Sequence, residues 1–311
     1  MIYIKIHTKE TQDIWNNFNR NAKNGLFMFD RNYMDYHSDR FIDNSLMFYE
    51  DEKLIALLPC NATEDILYSH QGLTFGGFIV DKNMKQNKML ECFEVLKKYM
   101  KENNFKKLIY KCVPYIYHKI PAQEDLYALF RNKAELFRRD IASVIDYRNM
   151  VCINSKKRNK INKSKKLGIE IFYNEKFKDF INLENEVLGK YHNAKAVHTS
   201  NEMEYLKSFF FNNIHLYEAR QGEQILAGVV IYEYDNVIHT QYMANSDEGR
   251  KVGALDLLVD FLINEKYTDR EYFDFGISTE NGGIFLNQGL ISQKEEFGGR
   301  GIVYDFYELC I

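Results

Sequence analysis

Two short stretches carry residue types that can do chemistry. In "VIHTQYMAN", Ile238, Thr240 and Tyr242 alternate with His239, Gln241 and Met243, so a strand here presents His239 and Gln241 on one face. A histidine so placed either takes a proton from an amine or hydroxyl, or serves as a hydrogen-bonded structural group. The strand runs into the polar turn "SDEGRKVGA" and then the apolar run "LDLLVDFL". The first N–H groups of a helix lack internal acceptors, and the helix dipole adds positive charge there. Gly249, Arg250, Lys251, Val252, Gly253 and Ala254 therefore form a candidate anion cradle. Gly253 would let a phosphate approach the backbone, and Arg250 and Lys251 would add full charges. Asp247 and Glu248 oppose an anion and should point away from it.

Further candidates surround these. Asp274 alternates with Phe273 and Phe275 on an expected central strand. A buried carboxylate must be paired, so Asp274 either orients a histidine or anchors the loop beginning at Gly276, and the anchor is the favoured role. Ser278, Glu280 and Asn281 follow at the strand's carboxyl end, where α/β sheets present ligands. Lys294 lies in "ISQKEEFGGRG", beside Glu295 and Glu296 as surface partners. His198 precedes a helix opened by the capping box Thr199-x-x-Glu202 and is a candidate substrate contact; His70 and His37 are weaker counterparts. Lys111 and Tyr117 belong to "YKCVPYIYHKIPAQEDLYALF", which would wall a sugar or begin a helix at Glu124 and Asp125.

The elements that must position these residues occur twice. "SLMFYEDEKLIALLPCNATEDILYSH" and "IHLYEARQGEQILAGVVIYEYDNVIHTQY" each read as strand, charged turn, strand and third strand near a histidine. Each half continues with a glycine-containing loop, a helix ("NKMLECFEVLKKYMKENN"; "VGALDLLVDFLINEKY") and a strand ("FKKLIYKCV"; "REYFDFGIS"). Met89, Cys92, Phe93, Leu96 and Met100 give the first helix its apolar face, whereas the second is apolar nearly all round apart from Asp256 and Asp260. This pattern predicts an α/β protein of two related domains, residues 1–150 and 151–311. Between them, "SKKRNKINKSKKLG" carries Lys156, Lys157, Arg158, Lys160, Lys163, Lys165 and Lys166 with no acid, and Gly168 sits where a helix C-cap would. It is either a solvated linker helix or a helix whose mutually repelling cations face an anionic partner.

Composition narrows the class. The chain has 311 residues, 45% hydrophobic and 27% charged, with a net charge of -3, so DNA or anionic lipid exerts no global pull. Cys60, Cys92, Cys112, Cys152 and Cys310 are scattered without CxxC spacing, which predicts neither a disulfide framework nor a zinc site. The N-terminus turns polar within a few residues, and no run approaches the ~20 apolar residues of a membrane span. A cytoplasmic, soluble protein is expected.

The strand, its bulge-like exit and the R-x-x-G-x-G/A-like turn resemble the acyl-CoA N-acyltransferase (GNAT) fold. The tail "YFDFGISTENGGIFLNQGLISQKEEFGGRG" resembles the FemAB-type branch, in which two such domains are fused: Asp274-Phe275-Gly276, then a loop, then Lys294 shortly before Phe297-Gly298. A basic junction helix running into a strand, "KSKKLGIEIFY", is also similar. More loosely, the chain looks like acyltransferases of bacterial surface-polysaccharide gene clusters. The resemblance implies two tandem GNAT-like domains, each a mixed sheet flanked by helices, with the acyl donor at Arg250–Ala254 of the second and the acceptor between the domains. It implies N-acetyl or N-acyl transfer from acetyl-CoA or another acyl-CoA, without a metal, to a nucleotide- or lipid-linked amino sugar of cell-envelope polysaccharide. His239, Gln241, Ser278 and Lys294 would be catalytic; His198, Lys111, Tyr117, Glu280 and Asn281 would contact substrate. Lys294, by the same resemblance, would meet a diphosphate acceptor together with part of the basic helix. Two alternatives stand beside this. One is aminoacyl transfer from aminoacyl-tRNA to a peptidoglycan precursor, favoured by the basic helix and disfavoured by the lack of a long helical hairpin. The other is a catalytically silent binding module, supported by Leu255 standing where the family motif has Gly or Ala.

Overall fold

In the computed structural model the described residues are 1–192 and 194–311; the side chains of His192 and of His37, one of the weaker histidine candidates, lie outside the description. The chain forms two compact units. One comprises residues 1–140, 280–285 and 303–311; the other comprises 141–279 and 286–302.

The first unit opens with β1 (Ile2–Ile6), α1 (Gln12–Asn21) and α2 (Arg31–Met34). A hairpin of β2 (Leu46–Glu50) and β3 (Lys53–Leu58) follows, its turn made possible by Asp51 at φ 53°. Next come β4 (Asn61–Thr63), β5 (Ile66–Tyr68), β6 (Ile79–Val80), α3 (Gln86–Glu102), β7 (Lys107–Lys111) and α4 (Glu124–Arg131). β1 and β2 pair antiparallel, while β5 and β7, joined through α3, run parallel. Met89, Cys92, Phe93, Leu96 and Met100 are buried on α3, as their spacing predicts.

The second unit takes residues 141–146 of β8 (Glu135–Asp146) and continues with α5 (Ser155–Lys165), β9 (Glu170–Asn174), α6 (Lys178–His192) and α7 (Ser200–Phe209). The hairpin β10 (Ile214–Gln221) and β11 (Gln224–Glu233) leads to β12 (Val237–Asn245), α8 (Asp247–Val252), α9 (Ala254–Phe261) and β13 (Tyr272–Ile277). The strand order is β8-β13-β12-β11-β10-β9, with β12 and β13 parallel. The chain ends with β14 (Thr279–Glu280), β15 (Phe285–Leu286), α10 (Gln288–Glu296) and β16 (Arg300–Cys310). Each unit thus runs strand, helices, hairpin, third strand, helix and parallel strand. In the first unit the third strand is broken into short pieces.

Helices cover both faces of the second unit's sheet. Ala227, Val229 and Ile231 of β11 pack into one core with Leu255, Leu258, Leu262 and Phe273. Gly228 faces the other way, where a Cβ would lie 2.4 Å from the Phe180 ring of α6. Helix α5 packs against α9, which changes the expectation for the basic run. Lys157 Nζ lies 2.9 Å from Asp256 and 3.0 Å from Glu296, and Lys160 lies 2.6 Å from Asp256. Lys165 lies 3.5 Å from Asp260. The acids missing from the basic segment are those of α9 and α10, so its cations are partly compensated within the unit. Lys156, Arg158, Lys163 and Lys166 remain exposed.

Candidate active site

The second unit's sheet opens where the chemistry-bearing strand lies. β12 and β13 pair only from Val237–Tyr272 to His239–Asp274. Gln241 is then an extra residue against β11, because Val230 faces Tyr242 while Ile231 faces Thr240. Such a bulge bends the strand and increases its twist. β13 has its own irregularity between Asp274 and Ile277, around Gly276 at φ +69°. An L side chain would be strained there, and a Cβ would lie 3.3 Å from His239 Cε1. The strands therefore part at a histidine–aspartate pair, and the far end of β12 has no β13 partner.

Around that parting the sequence candidates form one connected group. His239 Nδ1 is 3.1 Å from Asp274 Oδ2. An ionised carboxylate only accepts, so the pairing places an N–H on His239 Nδ1. Asp274 Oδ1 accepts the Gly276 N–H at 2.7 Å. The aspartate thus fills both expected roles, orienting the histidine and anchoring the turn. Lys294 is buried, and its Nζ donates to the carbonyls of Gly276 at 2.9 Å and Ile277 at 2.6 Å. Burial pulls its ammonium down to about 8, against a smaller upward pull from Asp274. Glu295 and Glu296 are not its partners; Glu296 pairs with Lys157. An amine buried against two carbonyls is not presented to a soluble diphosphate, so sharing of one phosphate by Lys294 and the basic helix finds no support in this geometry. Ser278 donates its N–H to the Ile141 carbonyl, while the buried Ser278 Oγ and Gln241 Oε1 have no hydrogen-bond partner among the described residues.

The glycine turn is not an open loop. Residues 247–252 form α8, capped by Ser246 Oγ accepting the Gly249 N–H at 2.9 Å. Gly249 is buried, and a Cβ there would lie 2.3 Å from the Leu226 carbonyl oxygen. Gly253 has φ +75°, linking α8 to α9, and a Cβ there would lie 2.6 Å from Ser164 Oγ of α5. Its glycine requirement comes from helix–helix packing rather than from open room for a phosphate. Val252 and Ala254 pack into the core, and Lys251 is exposed beside Glu248. Asp247 is held by Lys190 and Tyr191. The Arg250 guanidinium lies 4.5 Å over the Tyr191 ring and borders a cavity of about 510 Å³.

That cavity lies wholly within the second unit. It is lined by the unpaired end of β12 (Met243–Asn245), the start of α9 (Leu255, Asp256), Lys157 and Lys160 of α5, and residues of α6 and α10. Glu184 of α6 lines it too, and was missed in the sequence. It occupies the buried stripe of α6 shared with Phe180 and Ile181 and is itself buried. Its Oε2 has no hydrogen-bond partner among the described residues, and burial pushes its carboxyl up to about 7. A carboxylate at a core position of a helical period is the signal that could have revealed it.

The remaining candidates stand elsewhere. His198 is buried, bonded through Nδ1 to the Tyr242 hydroxyl, and the Thr199–Glu202 capping box behind it forms as predicted. Lys111 and Tyr117 belong to the first unit. Lys111 Nζ donates to the carbonyls of Gln71 at 3.2 Å and Leu73 at 2.5 Å, and burial lowers it to about 8. Tyr117 packs on Phe75 with centroids 4.7 Å apart. Glu280 and Asn281 are exposed. Among the described residues no helix is long and apolar enough to cross a membrane, and no three His, Cys, Asp or Glu side chains group as metal ligands.

No family model and no curated protein sequence matches the chain. Solved structures do match its fold. FemX superposes with a TM-score of 0.69 at 11% identity, over 99% of this chain and 97% of FemX. L-PGS from Bacillus licheniformis gives 0.60 at 14% identity, over 97% and 90%. A tandem GNAT protein from the clavulanic acid biosynthesis pathway gives 0.51 at 8% identity, over 99% and 98%. The fold is of the acyltransferase type, two tandem GNAT-like α/β domains, each with a mixed sheet flanked by helices.

Proposed function

We propose that the chain is an acyltransferase that moves an acyl group from an acyl-CoA, acetyl-CoA in the simplest case, to the amine of a nucleotide- or lipid-linked amino sugar in cell-envelope polysaccharide synthesis. The observation that carries this is the parting of β12 from β13, with a cavity bordered by cations at the unpaired end of β12. An extended, amide-bearing arm can add to such a strand edge through backbone hydrogen bonds. Arg250, with Lys157 and Lys160 in reserve, would meet the donor's phosphates. His239, oriented by Asp274, would take the proton from the attacking amine. Gln241 and Ser278 would contact the reacting carbonyl, and Lys294 would hold the β13 turn in place by its two carbonyl contacts. His198, bonded to Tyr242 of β12, remains a proposed acceptor contact, whereas Lys111, Tyr117, Glu280 and Asn281 belong to the first unit and are not assigned to this site.

A second reading, aminoacyl transfer from tRNA, is favoured by the fit to FemX and L-PGS and by the exposed Lys156, Arg158, Lys163 and Lys166. Calorimetric titration of acetyl-CoA, free CoA and aminoacyl-tRNA separately into the purified protein tests both. Binding of acetyl-CoA or CoA that weakens at least tenfold in Arg250→Ala supports the first. Binding of aminoacyl-tRNA alone selects the second, and binding of none of them leaves a silent module.

A further inference from the structure

Glu184 is the one element of the cavity that the proposed donor does not explain. Phosphates and a thioester find cations and backbone groups at the rim, and an amide N–H is a neutral donor that leaves a buried carboxylate's charge unbalanced. Glu184 sits 6% exposed on the α6 stripe between Phe180 and Leu188, and its Oε2 has no hydrogen-bond partner. Asn245 Oδ1, on the same cavity, is also an acceptor without a donor. Burying an unpartnered carboxylate is costly, whereas a well-packed helix stripe would take Leu or Met at no such cost. The charged groups facing this space are Lys157 and Lys160 of α5, Arg250 of α8 and Asp256 of α9; β12 and α10 present only uncharged residues. Lys157 and Lys160 are paired with Asp256, and Arg250 stacks on Tyr191. Glu184 is therefore left as an acceptor facing a cavity, with a neutral acceptor nearby.

We propose that Glu184, assisted by Asn245, receives a primary ammonium group of the substrate inside this cavity. The inference rests on the acyl-transfer reading in taking the cavity as the place where reactants meet. An ammonium has three N–H donors, which suits a carboxylate plus an amide oxygen. The amino group can come from the acceptor or from an aminoacyl donor. In the first case the ammonium gives one proton to His239 or solvent to become the attacking amine. The tetrahedral adduct loses a second as the donor's sulfur leaves and is protonated to the thiol, and the neutral amide with one N–H that remains is loosened from Glu184. In the second the ammonium survives the transfer and selects the acyl group.

The test uses the full chain labelled with [δ-13C]glutamate. The Glu184 carboxyl resonance is assigned by its loss in Glu184→Gln, and its titration midpoint is followed with glucosamine, alaninamide and, as the uncharged control, N-acetylglucosamine. An ammonium partner favours the ionised carboxylate, so a bound amine should lower the midpoint by at least about one pH unit, a tenfold preference. A response to glucosamine assigns the amine to the acceptor; a response to alaninamide assigns it to the acyl group. N-acetylglucosamine should leave the midpoint in place. A midpoint unmoved by either amine, or moved equally by the N-acetylated control, overturns the proposal. Failure of acetyl-CoA, CoA and tRNA to bind in the separate titrations would instead sink the acyl-transfer reading, whatever Glu184 does.

Discussion

Replacing Glu184 by glutamine should flatten the pH dependence of the second unit's stability. A solvated glutamate titrates near 4.5, and burial holds Glu184 at about 7 in the fold. The folded value is the higher one. Between those two pH values the unfolded chain has shed a proton that the folded chain still holds, so stability falls as pH rises. Below about 4.5 the penalty is absent, and above about 7 it is complete. About 2.5 pKa units at ~1.36 kcal/mol each amount to ~3 kcal/mol. Glutamine has the same shape and no charge. Its own unpaired amide costs something, but that cost does not vary with pH and cancels in the comparison. The stability of the variant minus that of the wild type should therefore be ~3 kcal/mol larger at pH 8 than at pH 4.5. The only tryptophan, Trp15, lies in the first unit, so its fluorescence does not report on this one. Amide hydrogen exchange of peptides from α6, β11 and β12 does, because protection of core segments tracks the free energy of opening. A difference that stays constant within ~0.5 kcal/mol from pH 4.5 to 8 would refute the assignment of a buried, unpartnered carboxylate.

Four other substitutions probe the same unit. Gly253→Ala meets both the positive φ and the Ser164 contact, so it should cost ~1–3 kcal/mol and loosen exchange protection in α5 and α9; an unchanged protein would show that the helices adjust freely. Lys157→Met leaves Asp256 buried with only the half-exposed Lys160 beside it and should cost roughly 3 kcal/mol in urea unfolding, while the double variant Lys157→Met, Asp256→Leu should recover most of that loss. For Lys294 the sign is opposite to Glu184: burial penalises the ammonium below about 8, so stability should rise from about pH 8 toward 10.5, and Lys294→Met should abolish that rise in hydrogen exchange of β13.

The fold was legible because it rests on periodicity. The α3 stripe, the Thr199 capping box, the hairpin turns and the strand after each helix are local signals, and each formed where the residues placed it. The site was less legible, because what matters there is set by partners distant in sequence. "DEGRKVGA" contains the glycines of a phosphate loop, yet whether Gly253 faces an anion or another helix depends on Ser164 and Lys160, some ninety residues earlier. The basic run looked unbalanced because its acids, Asp256, Asp260 and Glu296, are just as remote. Glu184 shows the converse. Its anomaly is local, a carboxylate in the stripe Phe177, Phe180, Ile181, Leu188, but reading it requires asking which residue is wrong for a core rather than which is right for a motif. A motif glycine can be explained by packing alone, as Gly253 is. A buried carboxylate facing a cavity with no partner lowers stability, so packing cannot account for it, and a ligand that brings a positive charge can.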